Sequence, residues 1–174
     1  MRAYHFLPAV HAISALEKRR LKISQFKDLN DPFELLAVEL PERKSRKIFS
    51  EIKQKISREH GVICFSKNWN NPLLWSHYAD KHLGICLGFD VPDELILQIS
   101  YDGERLLLHI RRQAINGSLD RAFMLRLLST KYRDWEYEDE VRMFADLKEQ
   151  DPETGMYFKE FDKNLRLSPK YQNL

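Results

Sequence analysis

Four stretches carry residues whose types and spacing could do chemistry. The densest is W-E-Y-E-D-E-V-R-M-F, Trp135 to Phe144. Val141, Met143 and Phe144 make Trp135 to Ala145 a strand and not an acidic loop. A period of two puts Glu136, Glu138, Glu140 and Arg142 on one side. Tyr137, Asp139, Val141 and Met143 fall on the other. Three carboxylates in a line repel one another unless a cation faces them. Arg142 lies ~6–7 Å along the strand from Glu140, so its guanidinium is expected to hold Glu138 or Glu140 in place. A catalytic or ligand-orienting glutamate competes here with a solvent-exposed edge carrying an Arg142 salt bridge. Glu140 is expected to be only partly buried, so that Glu140→Gln keeps the fold.

The second stretch is L-L-W-S-H-Y-A-D-K-H, 73–82. On a helix, Leu74, His77 and Tyr78 lie on adjacent turns, as do Tyr78 and His82. Trp75, Ser76, His77 and Tyr78 are candidate binding residues. His77 suits acid/base work or metal ligation, against the plainer reading of packed aromatics with bonded polar tips. The third is N-D-P-F-E, 30–34, where Asn30 and Asp31 are candidate ligand contacts and equally good turn formers. The fourth is His5, between Tyr4 and Phe6. No GxGxxG, Walker A loop, HExxH or GxSxG occurs, so no phosphate cradle or hydrolase elbow of those types is present.

The elements that must position these residues alternate without repeats or linkers. Arg2 to Leu7 reads as a strand. Pro8 to Arg20 reads as a helix with Val10, Ile13 and Leu16 on its stripe and Arg19 and Arg20 in the last turn. Leu21 to Ser24 is a second strand. Pro41 to His60 is the clearest helix, with Ile48, Ile52 and Ile56 four apart and Gly61 at the C-cap. Val62 to Ser66 and Gly84 to Asp90 are continuous apolar runs that suit central strands. Between them, Asn71 caps and Pro72 opens a short helix, Leu73 to Asp80. Leu95 to Tyr101 is strand-like, Leu106 to Ile110 is strand or helix start, and Ser118 to Thr130 is a helix. The turn Asp151 to Gly155 leads into Met156 to Phe161 as a returning hairpin strand. One α+β domain over 1–167 is expected, with 168–174 a frayed tail.

Size and composition bound the class. The chain has 174 residues, 43% hydrophobic and 11% aromatic, which excludes a disordered chain. With 28 basic and 26 acidic residues the net charge is +2, which argues against a dedicated nucleic-acid coat. No apolar run approaches a membrane span, and the first residues lack an unbroken apolar leader core, so a cytoplasmic protein with no membrane partner is expected. Cys64 and Cys86 each sit in an apolar run and are expected as buried thiols on adjacent or near-adjacent strands, with no CxxC for zinc.

Taken in order, Y-H-F (4–6), L-N-D-P-F-E (29–34), G-V-I-C-F-S (61–66), L-W-S-H-Y-A-D-K-H-L-G-I-C-L-G-F (74–89) and K-Y-R-D-W-E-Y-E-D-E-V-R (131–142) resemble the prokaryotic domain-of-unknown-function 2971 family over residues 1–145. Its members continue past the E-x-E-x-R strand into a further glycine-containing strand and a helix. That closing element is therefore expected to be short or absent here.

The layout of polar residues is also similar to that of the ADP-ribosyltransferases, and the Y-H-F opening to the DNA-thymidine ADP-ribosyltransferase toxins. The resemblance implies a twisted split sheet, mixed or antiparallel, with helices on its faces. It implies NAD as cofactor, with His5 bonding the nicotinamide-side ribose, Tyr78 stacking on nicotinamide and Glu140 stabilising the positive charge that develops as nicotinamide leaves. Glu138 would act on the acceptor, nucleic acid or protein, in a toxin or phage-defence setting. The rival readings are a metal-dependent nuclease or hydrolase using His77, His82, Glu138 and Glu140, and a non-catalytic ligand or nucleic-acid sensor. Asn30 to Glu34, Trp75 to Tyr78 and Glu138 to Arg142 are expected to converge on one cleft.

Overall fold

Arg2–Leu7 form β1, and Pro8, with φ fixed by its ring, turns the chain into α1, Ala9–Glu17. Arg19 takes a positive φ of 49°, which reverses the chain into β2, Arg20–Gln25. The computed structural model describes residues 1–29, 43–102 and 128–168. The expected strand or helix at 106–110 and all but the last residues of the expected helix 118–130 fall outside them. The remaining elements are α2 (Arg43–Glu59), β3 (His60–Ser66), α3 (Pro72–Tyr78), β4 (Ile85–Asp90), β5 (Ile96–Gln98), β6 (Ser100–Asp102), β7 (Thr130–Tyr132), β8 (Glu140–Asp146), β9 (Tyr157–Glu160) and β10 (Arg166–Leu167). The architecture is mixed α+β. No described helix is long and apolar enough to cross a membrane.

The sheet is organised around β3. Along one edge β8 pairs with its whole length, from His60↔Asp146 to Ser66↔Glu140. The other edge is shared. β2 meets it at Gly61 and Val62, and β1 meets it at Ser66. Between those contacts the two strands part, so the sheet forks opposite Cys64. β4 and then β10 extend the β1 arm, β9 extends the β2 arm and β5 lies outside β8. All these pairings are antiparallel. The separate β6–β7 pair is parallel.

Alternation on β3 and β8 separates two environments. Ile63, Phe65, Val141 and Met143 enter the main core with Ala3, Leu87, Phe89 and the α1 residues Ala12 and Ala15. A second cluster of Phe6, Leu74, Ala79 and Cys86 holds α3, with Trp75 and Tyr78 packed at its edge. Asn71 caps α3 by accepting from the Leu73 N–H at 2.9 Å.

Several expectations are corrected. Val10 and Ile13 are exposed (68% and 51%), and α1 instead buries Ala12 and Ala15. Small residues let the helix lie close on the sheet, so bulk on the expected stripe faces outward. Arg20 belongs to β2 and not to a last helical turn. Gly61 is no C-cap. It lies in β3, where a Cβ would sit 2.5 Å from Ile23 Cγ2 and 2.8 Å from Ser24 O, so its role is to let β2 approach. Met156 to Phe161 does not return along β8, because β9 pairs with β2, Ile23 opposite Tyr157. Among the described residues the segment after β8 adds two short strands and no helix. β9 and β10 complete the two ends of the strand path. Ser168 is not frayed, since it is fully buried and its N–H donates to Gly88 O at 2.8 Å.

After α3 the chain turns through Asp80, Lys81 and His82, all at positive φ, and reaches Gly84. A Cβ there would lie 2.2 Å from Leu7 O and 2.8 Å from backbone atoms of Ala79. Backbone cannot yield as a flexible side chain can, so Gly84→Ala is expected to cost about 3 kcal/mol. Chemical unfolding of Gly84→Ala against wild type checks this. A loss below 1 kcal/mol would refute the close-approach argument.

Candidate functional site

The fork leaves the middle of one β3 edge without a neighbouring strand, and a backbone carbonyl there needs another donor. His5 supplies it, with Nδ1 2.7 Å from Cys64 O. A carbonyl can only accept, so Nδ1 carries the proton and Nε2 is left as an acceptor. Burial lowers the His5 pKa, and the Cys64 carbonyl offsets this only in part. The ring is therefore neutral near pH 7, packed edge-on against Phe65 with centroids 5.6 Å apart.

A cavity of about 180 Å³ occupies this fork, more than the ~150 Å³ that accommodates a benzene ring. His5, Cys64, Tyr78, Lys131, Glu138 and Glu140 contribute to its wall, with Asp28 and Leu29 at one side. Asn30, Asp31 and the rest of the N-D-P-F-E stretch lie outside the described residues.

The acidic stretch is not one strand. Arg133–Glu138 form a 3-10 helix, and Asp139 at φ 44° turns the chain into β8 at Glu140. The even-numbered alternation holds only from Glu140 onward. Glu136 is exposed and takes no part. Glu138 still reaches the cavity because the turn at Asp139 swings its carboxylate beside that of Glu140. Lys67 holds this turn, with Nζ 2.7 Å from the Asp139 carboxylate.

Arg142, fully buried, donates from Nε to Glu140 Oε1 at 2.7 Å and from Nη2 to Oε2 at 3.1 Å. Its Nη1 donates to Leu128 O at 3.1 Å. The expected pairing on one strand face is present, and its partner is Glu140. Glu140 is itself buried at 5% exposure, which corrects the expectation of a partly buried site. Its backbone N–H donates to the Tyr101 hydroxyl at 2.6 Å. Burial alone would raise the Glu140 pKa, but the Arg142 guanidinium, Lys131 and Cys64 outweigh it and bring it down to about 2.

Lys131 joins the two carboxylates. Its Nζ is 2.5 Å from Glu138 Oε2 and 3.1 Å from Glu140 Oε2, and it lies 4.8 Å from the centroid of the Trp135 ring. Tyr78 donates its hydroxyl to Glu138 Oε1. Burial raises the Glu138 pKa, and Lys131 and Tyr78 offset this only in part. Two adjacent carboxylates are thus pushed apart in acidity, a pattern that separates a fixed anion from a proton carrier.

Of the residues picked from sequence, His5, Tyr78, Glu138, Glu140 and Arg142 come together here. Trp75 is a packing residue, edge-on to Phe6 and donating from Nε1 to Trp69 O at 2.7 Å. Ser76, His77 and His82 are exposed. The His77 ring lies beside Tyr137, centroids 6.0 Å apart, and neither histidine lines the cavity. Among the described residues no group of three or more His, Cys, Asp or Glu is placed to hold a metal ion.

Three contributors were missed. Lys131 carried no signal beyond its place at the head of the K-Y-R-D-W-E segment. Tyr101 carried none. Asn71 has a second role, since its Nδ2 donates to Tyr137 O at 2.8 Å. That bond ties α3, and hence Tyr78, to the 3-10 helix bearing Glu138.

Cys64 and Cys86 are not joined in a disulfide, and their strands β3 and β4 flank β1. Cys86 is buried and burial pushes its thiol up to about 12. Cys64 is only half-buried and lines the cavity, which corrects the expectation that both are buried. A small alkylating reagent on the native protein is expected to modify Cys64 first, with Cys86 protected until unfolding. Peptide mapping checks this, and equal labelling of the two would contradict the burial of Cys86.

No family model, curated protein or solved structure matches the chain.

Proposed function

We propose that the chain is an ADP-ribosyltransferase-like enzyme that uses NAD, as the similarity of its polar residues to those of the ADP-ribosyltransferases implies. The observation that carries this reading is the convergence of His5, Tyr78, Glu138 and Glu140 on one cavity in the fork of the sheet. A fork between the first two strands is also what supports a split-sheet fold of that kind.

The residues fit the nicotinamide riboside half of NAD. The cavity has room for one aromatic ring beside Tyr78. His5 Nε2 is an acceptor suited to a ribose hydroxyl. When bound, NAD supplies an N-glycosidic bond whose cleavage frees nicotinamide and transfers ADP-ribose. Glu140 is a fixed anion for positive charge that develops during cleavage. Arg142 holds its direction, and burial keeps water from screening it. Glu138, held by Tyr78 and Lys131, suits a proton acceptor for the incoming nucleophile.

A ligand sensor is the second reading. It is favoured by the complete occupation of both Glu140 oxygens by Arg142 and Lys131. The distinguishing experiment is NMR detection of nicotinamide released from NAD, beside calorimetric binding of NAD. Release supports the transferase, binding without release supports the sensor, and neither removes NAD from consideration.

A further inference from the structure

Among the described residues Lys131 is the one whose side chain reaches both carboxylates from a third element. Glu138 comes from the 3-10 helix and Glu140 from β8. Lys131 comes from β7, which pairs only with β6 and not with the main sheet. Its side chain is 6% exposed. Arg142 is committed to Glu140 and to Leu128 O, so Lys131 is the cation in contact with Glu138 among the described residues. Buried carboxylates this close cannot both stay ionised without such a charge.

We infer that Lys131 is the positioning residue of the cleft, holding the Glu138 and Glu140 carboxylates side by side and keeping Glu138 in the anionic form that can accept a proton. The role in proton acceptance rests on the transferase reading, but the clamp itself does not.

The groups facing Glu138 are few. Tyr78 reaches it from α3, Lys131 from β7, Tyr101 from β6 and Tyr137 from its own 3-10 helix, with Glu140 and Arg142 beside it on β8. Across the cavity stand His5, Cys64 and Asp28. Burial keeps Tyr101 and Tyr137 protonated and His5 neutral, so among the described residues the charge balance at Glu138 is set by Lys131 against Glu140.

The experiment is a carbon-13 NMR titration of the ligand-free protein, following the glutamate side-chain carboxyls, assigned by Glu138→Gln and Glu140→Gln. Wild type is compared with Lys131→Met, Lys131→Gln and Lys131→Arg. Removing the charge is expected to raise the Glu138 midpoint by about one to three pH units. Lys131→Arg is expected to restore most of it, and Glu140 is expected to stay low because Arg142 remains. Lys131→Gln keeps a hydrogen-bond donor without charge, so it gives the answer if Lys131→Met does not fold. An unmoved Glu138 midpoint in a folded neutral variant overturns the assignment. So does an arginine variant that behaves like the neutral ones.

Nicotinamide release against pH is measured in parallel. The acidic limb of the neutral variants is expected to move upward with the Glu138 midpoint. If the midpoint moves as expected while wild type releases no nicotinamide, Lys131 is the clamp and the transferase reading fails. If wild type turns over NAD and the midpoint is unmoved, the transferase stands and the Lys131 assignment falls.

Discussion

Arg142→Met is expected to lower stability by about 3–5 kcal/mol, because it strips the partner from a carboxylate that stays buried. Both Glu140 oxygens lean on this guanidinium, and methionine fills similar space without charge. The penalty therefore comes from a buried anion left with Lys131 as its cation and not from a void. Replacing both residues, Glu140→Met with Arg142→Met, is expected to recover most of the loss, since a buried ion pair exchanged for apolar groups is often neutral. Lys131 keeps Glu138 as its partner in that double variant. Urea unfolding with an unchanged slope is the measurement. A single variant as stable as wild type would mean that the guanidinium contributes nothing to Glu140.

The same pair sets a pH dependence. Glu140 has a folded pKa of about 2, below its ordinary value of 4.5. A depressed carboxylate contributes stability that is present above its unfolded pKa and lost as pH falls through the folded one. About 3 kcal/mol should therefore disappear between roughly pH 5 and pH 2. Glu138 has the opposite sign, because its raised pKa means that protonation favours the folded state. Acid titration of stability should be steep in wild type, steeper still in Glu138→Gln and flatter in Glu140→Gln.

On the transferase reading, Glu140→Asp is expected to reduce NAD turnover by about a hundredfold or more while leaving the protein folded, since displacing a reacting group by ~1 Å can cost that much. The shorter chain keeps the charge near Arg142 and Lys131. Glu140→Gln is expected to lose about 10²–10³-fold in rate, but it also presents an amide N–H₂ to Arg142 or Lys131 in a buried place, so stability falls with it. Comparing the two variants separates charge placement from folding. Full turnover in a folded Glu140→Asp would remove Glu140 from the reaction. Glu138→Gln keeps Glu140 and Arg142 intact and should slow transfer to an acceptor more than hydrolysis of NAD.

What could be read from the chain follows a physical rule. β3 and β4 were legible because a continuous apolar run has few uses besides a strand covered on both faces. The Arg142–Glu140 pair was legible because period two fixes which side chains share a face. The turn at Asp139 was not, since a left-handed residue inside an alternating acidic run leaves the pattern looking unbroken. The α1 stripe failed for a related reason. Periodicity identifies a helix, but the distance to its neighbour decides whether alanine or isoleucine faces inward. Lys131 was hidden because lysine is ordinarily a surface residue, and only the approach of β7 to the 3-10 helix encloses it. The cavity itself arises from two strands sharing one edge of a third, a relation between residues as far apart as Tyr4 and Ser66, and Ser24 and Val62.

Both ends of the strand path are finished by residues that follow the rest of the sheet in the chain. β9 and β10 come from positions 157–167 and lie against β2 and β4. During synthesis at ~5–20 residues per second, β2 and β4 therefore wait with unpaired backbone until positions 157–167 emerge from the ribosome. A product cut short near position 150 would contain Lys131, Glu138, Glu140 and Arg142 but leave β2 and β4 each with a bare strand edge. Such edges are templates for other chains. Such a truncated product is expected to aggregate through these edges.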